Sequence, residues 1–280
     1  MDSFTNLMIT ILGALVAALL IGWLGFRLRS PVHPPQREAT TRPLPIPLPR
    51  DLPAPLYHFF EKNYGTLIYP PATVVAWGRG QIIARRFGRL GPLWAPFSWA
   101  IDLLPGQSFV MTTRITWWRQ NYIRGGEEYR EGKGRFLYGK NSVANPYIDR
   151  SEQTLLWLYT ILFAPTTMLL EPDITWQKGE DDDSVCIQIP FSQEDTRSFV
   201  LHFDPATGQI AHIDTHRTAS RDGRLVPFKL VLKDPHSFGA DLILPDRVSV
   251  AWEQNPYVQY EIKGVYFDVD VSAAMEEGIP

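Results

Sequence analysis

The stretch "QTLLWLYTILFAPTTMLL", residues 153–170, decides the fold because it is apolar enough for a membrane crossing or for a protein core. It carries no charge, lies between Glu152 and Glu171, and is at the lower length limit for a transmembrane helix. Pro165 breaks a continuous helix, and the uncharged residues before it are too few to span a bilayer. The sequence therefore predicts a buried core helix with Ser151 as its N-cap.

A helix that is apolar on nearly all sides needs burial on most of its faces, and the surrounding sequence predicts a sheet to supply it. From Val74 onward, segments with a period of two alternate with glycine-containing turns, as in "DPATG" at 204–208, where Gly208 suits a positive φ. We therefore predict a mainly β (α+β) fold, in which a large curved antiparallel sheet, a half-barrel, wraps around a central helix.

The N-terminal segment Ser3–Phe26 contains no charged residue and is long enough to cross a bilayer as a helix. A cleaved signal peptide is the alternative, but no basic residue precedes the apolar run. We predict an uncleaved single-pass anchor at the cell membrane. The residues expected to form it are Leu7, Leu12, Leu15, Leu19 and Trp23, followed by Arg27 and Arg29 at the interface.

The basic residues nearest the anchor predict its orientation. Arg27, Arg29, Arg37, Arg42 and Arg50 all follow the span, and none precedes it. The positive-inside rule then places the large domain in the cytoplasm.

The prolines divide the chain into an anchor at 1–30, a Pro-rich linker at 31–55, a curved sheet domain at 56–270 and a tail at 271–280. The linker contains "PLPIPLP", which favours an extended polyproline II spacer that holds the domain away from the bilayer. After it, "LYHFFEKNYG" at 56–65 predicts a short helix that ends at Gly65.

The composition argues against several classes of function. A net charge of -3 is unlike that of a general nucleic-acid binder, and the single Cys186 makes no internal disulfide. The chain has no Gly-rich phosphate loop with its lysine, no G-x-S-x-G elbow and no H-E-x-x-H motif. We therefore expect no enzymatic activity, no cofactor and no nucleic-acid partner.

Two polar patterns are weaker candidates for sites. In "HIDTH", His212, Asp214 and His216 project from one strand face, but they are spread too far along it to bind one metal ion readily, so a solvated outer face is favoured. His202 is expected on the same outer face. A basic run early in the sheet fits an ordinary charged strand face or a surface toward anionic lipid; it comprises Arg79, Arg85, Arg86 and Arg89.

Aromatic side chains are the main candidates for ligand contact. They could line an apolar cavity for an acyl chain or pack into a solid core, and both interpretations stay open. The candidates are Trp94, Phe97, Phe109, Trp157, Tyr159, Phe163, Trp176 and Trp252.

Several blocks between about 75 and 267 carry a family resemblance. They are "LWAPFSW" (93–99), "PGQSFVM" (105–111), "YIRGGEEYREGKGRFLYG" (122–139), "DRSEQTLLWLYTILFAPTTMLLEPDITW" (149–176), "RSFVLHFDPATGQI" (197–210), "ILPDRVSVAWE" (243–253) and "YEIKGVYF" (260–267). In these blocks the chain resembles an uncharacterised bacterial domain-of-unknown-function family with a lipoprotein-carrier-like (LolA/LolB-like) half-barrel. The resemblance implies that the quoted segment fills the concave face of the sheet. It also implies an extracytoplasmic domain, in conflict with the arginine distribution, so both locations stay open.

Two functions fit these expectations. The first is a membrane-anchored, non-enzymatic protein that binds a lipid or another hydrophobic ligand, and the second is an accessory or structural subunit that contacts membrane protein partners through a solid scaffold. A cavity of several hundred Å³ (roughly 300 or more) between the sheet and the helix would favour the first. A filled interior would favour the second.

Overall fold

An antiparallel sheet forms most of the molecule. In a computed structural model the chain is described at residues 3–86, 92–192, 195–238 and 243–279, with the backbone alone at 84–86 and 92. Within these ranges thirteen strands hydrogen-bond into one open sheet, and strands make up 47% of the chain. The predicted mainly β fold with a large antiparallel sheet is confirmed.

The strands follow one another as two meanders that meet in the middle of the sheet. The strands of the first are β3 (Val74–Arg86), β4 (Pro92–Leu104), β5 (Ser108–Trp117), β6 (Gln120–Arg130), β7 (Lys133–Tyr138) and β8 (Asn141–Val143). Those of the second are β9 (Thr175–Lys178), β10 (Ser184–Pro190), β11 (Thr196–Phe203), β12 (Ile210–Thr218), β13 (Leu225–Ser237), β14 (Ile243–Trp252) and β15 (Asn255–Phe267). The seam is the pairing of β3 with β15, and β8 and β9 are the edges.

Close backbone approach and bulges curve the sheet at this seam. A side chain on Gly78 would overlap the carbonyl oxygen of Glu261, so only glycine fits there. The register shifts between Ile262 and Gly264, and a bulge of this kind bends a strand and increases its twist.

The helix α3 (Pro146–Phe163) occupies the concave face and contains most of the apolar stretch. It begins earlier than predicted: Asn145 is the N-cap, and its side chain accepts hydrogen bonds from the backbone N–H groups of Tyr147 and Ile148. The predicted cap, Ser151, is instead buried inside the helix. The helix ends just before Pro165, as predicted, and a 3-10 helix (Pro165–Leu170) follows.

The core lies between α3 and the strands. Every residue from Thr154 to Phe163 is buried, so the segment is a core element rather than a second membrane crossing. Leu158 is fully inaccessible and belongs to the same apolar cluster as Ile101 of β4 and Phe228 of β13. Burial of a side chain of this size contributes about 1.5–3 kcal/mol.

The helix α1 (Ser3–Gly25) is exposed along its length and leads directly to one end of the sheet. It is the one helix in the described ranges that is long and apolar enough to cross a membrane. Its last turn contacts the β5–β6 turn: the Trp118 N–H donates to the Gly25 carbonyl over 3.1 Å, and the Trp117 indole N–H donates to the Gly22 carbonyl over 3.1 Å. We call this end of the sheet, with the β5–β6 turn, the anchor end, after the membrane anchor predicted for α1.

The Pro-rich segment lies on the sheet, which corrects its predicted role as a free spacer. Ser30 hydrogen-bonds Thr116 over 2.7 Å, and Arg37 donates to the Asp102 carboxylate over 3.0 Å. Farther along, β1 (Ile46–Pro47) pairs with β2 (Leu67–Ile68). The polar side chains of the Pro-rich segment thus hydrogen-bond to residues of the sheet, and these bonds hold the segment against the strands.

Two short helices complete the chain. The helix α2 (Ala54–Tyr64) ends at Gly65, whose φ of 76° matches the predicted helix end. In the tail, α4 (Ser272–Glu277) precedes Ile279, which is buried and whose N–H donates to Glu128 over 2.7 Å. The tail is therefore docked on β6.

Replacing Leu158 with alanine should lower the free energy of unfolding by about 2–5 kcal/mol, because a cavity forms under the most enclosed part of α3. Urea unfolding of the detergent-solubilised full chain, followed by tryptophan fluorescence, measures the change. Leu170→Ala is the matched control, since that side chain is 54% exposed. Equal losses in the two variants would contradict a core centred on α3.

Candidate binding site in the half-barrel

Three cavities lie along the concave face, between the sheet and its helices. The central cavity, beneath α3, measures about 30 Å³ and is lined by Trp99, Tyr159 and Phe163 among others. The distal cavity, of about 50 Å³, lies at the far end near Phe59 of α2 and Pro165. The mouth cavity, of about 80 Å³, is the largest of the three.

The mouth cavity is apolar and lies toward the anchor end. Its apolar lining residues include Ile82, Phe97, Ile115, Phe136, Leu137 and Val258. Phe97 and Ile115 are paired across β4 and β5, and Ile115 is two residues from Trp117, which contacts α1. The strands therefore place this cavity next to the end of the apolar helix.

Four side chains separate the mouth cavity from the central cavity and line both: Met111, Glu127, Tyr257 and Tyr260. On the side of the central cavity, the Tyr159 hydroxyl donates a hydrogen bond to the sulfur of Met111 over 3.2 Å. A polar partition thus divides an otherwise apolar interior.

At the partition and behind it, the carboxylates of Glu127 and Glu152 both lie beside the buried guanidinium group of Arg217. Arg217 of β12 donates to Glu152 of α3 over 3.0 Å, lies 3.7 Å from Glu127 of β6, and donates through Nε to Ser151 over 2.8 Å. Its guanidinium lies 5.4 Å from the ring centroid of Trp252. The cluster therefore ties α3 to both meanders.

The cluster contains two carboxyl groups and one guanidinium group, so its charges do not balance if both acids are ionised. Burial favours a proton on one of the acids. Burial raises the pKa of Glu152 well above its usual range, the nearby Glu127 carboxylate raises it further, and Arg217 only partly opposes the shift. Burial also raises the pKa of Glu127. The Glu152 Oε2 atom has no hydrogen-bond partner among the described residues, so the protonated acid is the favoured form there.

This cluster was not predicted from the sequence, although one signal was present. Arg217 continues the inward-facing alternation of Ile213 and Thr215 in β12, both of which are buried. A charged residue at a core-facing strand position requires a buried partner. With Ser151 as the predicted N-cap, Glu152 falls in the first turn of the helix, where an acidic residue is favourable without a buried partner.

The aromatic residues predicted to contact a ligand are distributed over several environments. Phe97, Tyr159 and Phe163 line the cavities, and Phe109 packs edge-on against Tyr159 with centroids 5.2 Å apart. Trp157 is buried beside Gly106 in the β4–β5 turn. Trp94, Trp176 and Trp252 are half-buried outside the three cavities. With room for about one or two waters, the space beneath α3 is filled by side chains.

Cross-strand pairing changes the set of potential metal ligands that was predicted from the sequence. His202 lies opposite His212, their rings stack with centroids 4.1 Å apart, and both Nε2 atoms lie within 3.4 Å of an Asp214 carboxylate oxygen. His216 does not join them, because it is two residues farther along the strand. The only trio of potential ligands in the described ranges is His202, His212 and Asp214, and Lys229 already binds that Asp214 oxygen over 3.2 Å.

The fold and site define a class of protein: an apolar N-terminal helix followed by an open antiparallel half-barrel around one core helix. Residues 46–260 match a family of unknown function, DUF6544, and the chain belongs to that family. This confirms the resemblance found in the sequence. No curated protein matches the chain.

Two solved structures are similar to the chain at low identity. A domain provisionally described as an outer membrane lipoprotein-sorting protein, from Vibrio parahaemolyticus, is 9% identical over 70% of this chain and 85% of its own, with a TM-score of 0.40. A beta-barrel-like protein of the family DUF1849, from Brucella abortus, is 10% identical over 72% of this chain and 99% of its own, with a TM-score of 0.21. At these scores neither similarity bears on function.

Replacing Glu152 with glutamine should remove a pH-dependent loss of stability. As the pH rises above about 4.5, the unfolded chain releases the Glu152 proton while the folded chain retains it, so wild-type stability declines until the raised folded pKa is passed. The variant lacks this proton, so its stability relative to that of the wild type should be greater at about pH 8 than at about pH 5. Urea midpoints at both pH values measure the difference. Exposed Glu180→Gln is the control, and an unchanged pH dependence in Glu152→Gln would contradict a proton held at this position.

Proposed function

We propose that this protein is a membrane-anchored, non-enzymatic binder of a lipid or another hydrophobic ligand, whose apolar part enters the mouth cavity. The observation that supports this function is the position of that cavity: it is apolar and lies at the end of the sheet to which α1 is attached. A ligand that partitions into a bilayer would meet this opening first.

Exposed aromatic residues around the anchor end support the proposal. Trp117, Trp118, Tyr122 and Tyr138 are each more than a third exposed and lie in or near the β5–β6 and β7–β8 turns. Tryptophan and tyrosine concentrate at membrane interfaces because their rings are apolar and their N–H and O–H groups remain hydrated. They would hold the mouth against the headgroup region.

The partition would limit how far a ligand enters. Glu127, Tyr257 and Tyr260 close the inner side of the mouth cavity, and the space behind them is filled. The proposed site therefore takes the end of an acyl chain or a compact apolar group, while the rest of the ligand remains in the bilayer. Because binding of this kind requires neither a cofactor nor a covalent step, the proposal includes none.

Filling the mouth should abolish ligand retention without unfolding the domain. Native mass spectrometry of the detergent-purified full chain with added diacylglycerol, a lipid without a headgroup phosphate, should show the bound lipid on the wild-type protein and at least about tenfold less on Ile115→Trp, since the indole occupies the cavity. Val143→Trp is the control, because that side chain is 41% exposed at the edge strand β8. Circular dichroism checks folding. Retention of diacylglycerol by folded Ile115→Trp would rule out the mouth as the site.

The filled space beneath α3 favours a second function, that of an accessory subunit whose sheet is a scaffold. In that case α1, which is exposed along its length, would pack against the helices of a membrane complex. Native purification without a lipid, but with a membrane protein in fixed stoichiometry, would favour this function over ligand binding.

The side of the membrane can be tested separately. The arginines after α1 lead us to propose a cytoplasmic domain, with an extracytoplasmic domain as the alternative. A reporter that is active only in the cytoplasm, fused after Pro280, should be active. Activity of the corresponding extracytoplasmic reporter would reverse the orientation.

A further inference from the structure

A polar cleft of about 260 Å³ lies on the convex face of the sheet, directly beyond the anchor. Its floor is a row of four paired residues that crosses β13, β14, β15 and β3: Lys233, Arg247, Glu261 and Arg79. Pairing across neighbouring strands fixes the spacing of these four side chains, so the row is determined by the register of the sheet.

A second row makes the floor polar without adding charge. Ser249, Gln259 and Gln81 pair across β14, β15 and β3, two residues closer to the anchor end. The chain segment that leaves α1 covers this floor, and the Ser30–Thr116 hydrogen bond holds it in place.

The cleft has an excess of positive charge. Its charged lining consists of five cations and one carboxylate: Arg27, Arg29, Arg79, Lys233 and Arg247 against Glu261. Glu261 is already neutralised by Arg79, which donates to it through Nη2 over 2.9 Å, and by contact with Lys263. Arg247 is paired with Asp234 over 2.7 Å.

Three cations remain without a carboxylate partner in the described ranges. Arg29 and Lys233 have none within 4.0 Å, and Arg27 lies over the Trp23 ring at 4.5 Å. All three are at the surface. Their uncompensated charge, next to hydroxyl and amide groups, is suited to an anion with several oxygens, such as a phosphate group.

The position of the cleft identifies the source of that anion. A helix of 23 residues is about 34 Å long, enough to cross the hydrocarbon layer, so Arg27 and Arg29 follow it at headgroup level. We propose that the cleft binds the phosphate of an anionic phospholipid headgroup. This inference rests on the proposed membrane anchor but is independent of the mouth cavity.

The basic run identified in the sequence contributes one residue to the cleft. Arg79 is on its floor, whereas the side chains of Arg85 and Arg86 and the whole of Arg89 lie outside the described residues. Strand pairing brings Lys233 and Arg247 beside it, and the segment that follows α1 brings Arg27 and Arg29.

Competition between lipids in native mass spectrometry tests the proposal. The detergent-purified full chain is mixed with equal amounts of phosphatidylglycerol and phosphatidylcholine of the same acyl chains. Wild type should retain more phosphatidylglycerol, and Arg29→Gln/Lys233→Gln should lower that preference about tenfold. The control, Lys62→Gln/Lys178→Gln, removes two positive charges from the opposite end of the sheet and should leave it unchanged.

Three outcomes would overturn the proposal: equal retention of both lipids by wild type, equal loss of preference in the control, or complete displacement of phosphatidylglycerol by inorganic phosphate, which would indicate a site for the free anion. Ile115→Trp separates this proposal from the proposed function. If that variant keeps the preference for phosphatidylglycerol, the cleft acts independently of the mouth. If neither wild type nor Ile115→Trp shows a preference, the cleft proposal fails whatever the mouth binds.

Discussion

Burial of the apolar surface of α3 is the constraint on which the rest of the structure depends. The helix is apolar on nearly all sides from Thr154 to Phe163, so contact with one flat sheet would leave much of it in water. The curved sheet, with bulges and glycines at the β3–β15 seam, covers it on several sides. The curvature that solves this packing problem also produces the open end where the mouth cavity lies.

How far the sequence predicted the structure depended on whether the signal was local. Pro165 and Gly65 end their helices as predicted because proline and glycine act through their own backbone geometry. The start of α3 was misplaced, because Asn145 and Ser151 are both good caps and only the structure selects between them. The same holds for the Pro-rich segment: its composition favours extension, but not whether it binds the sheet or stands free of it.

The candidate sites depended on the register between strands and on contacts between distant segments, which a single sequence does not reveal. His202 joins His212 because β11 and β12 place them opposite each other, whereas His216 is nearer in sequence to Asp214 and has no part in the trio. The convex cleft combines Arg29 and Lys233, which are far apart in the chain. By contrast, the buried Arg217 could have been found from strand alternation alone, since it follows Ile213 and Thr215 on the inward face.

The seam between β3 and β15 also has a consequence for how the chain assembles. Within each meander every strand pairs with its sequence neighbour, so those contacts close short loops and can form quickly. The seam joins Ile82 to Val258, and closing so long a loop costs more entropy and depends on the last strand of the sheet. On a ribosome, the first meander would wait with an exposed edge at β3 until β15 emerged. Curling of the sheet into one body is therefore a late event that follows the synthesis of β15.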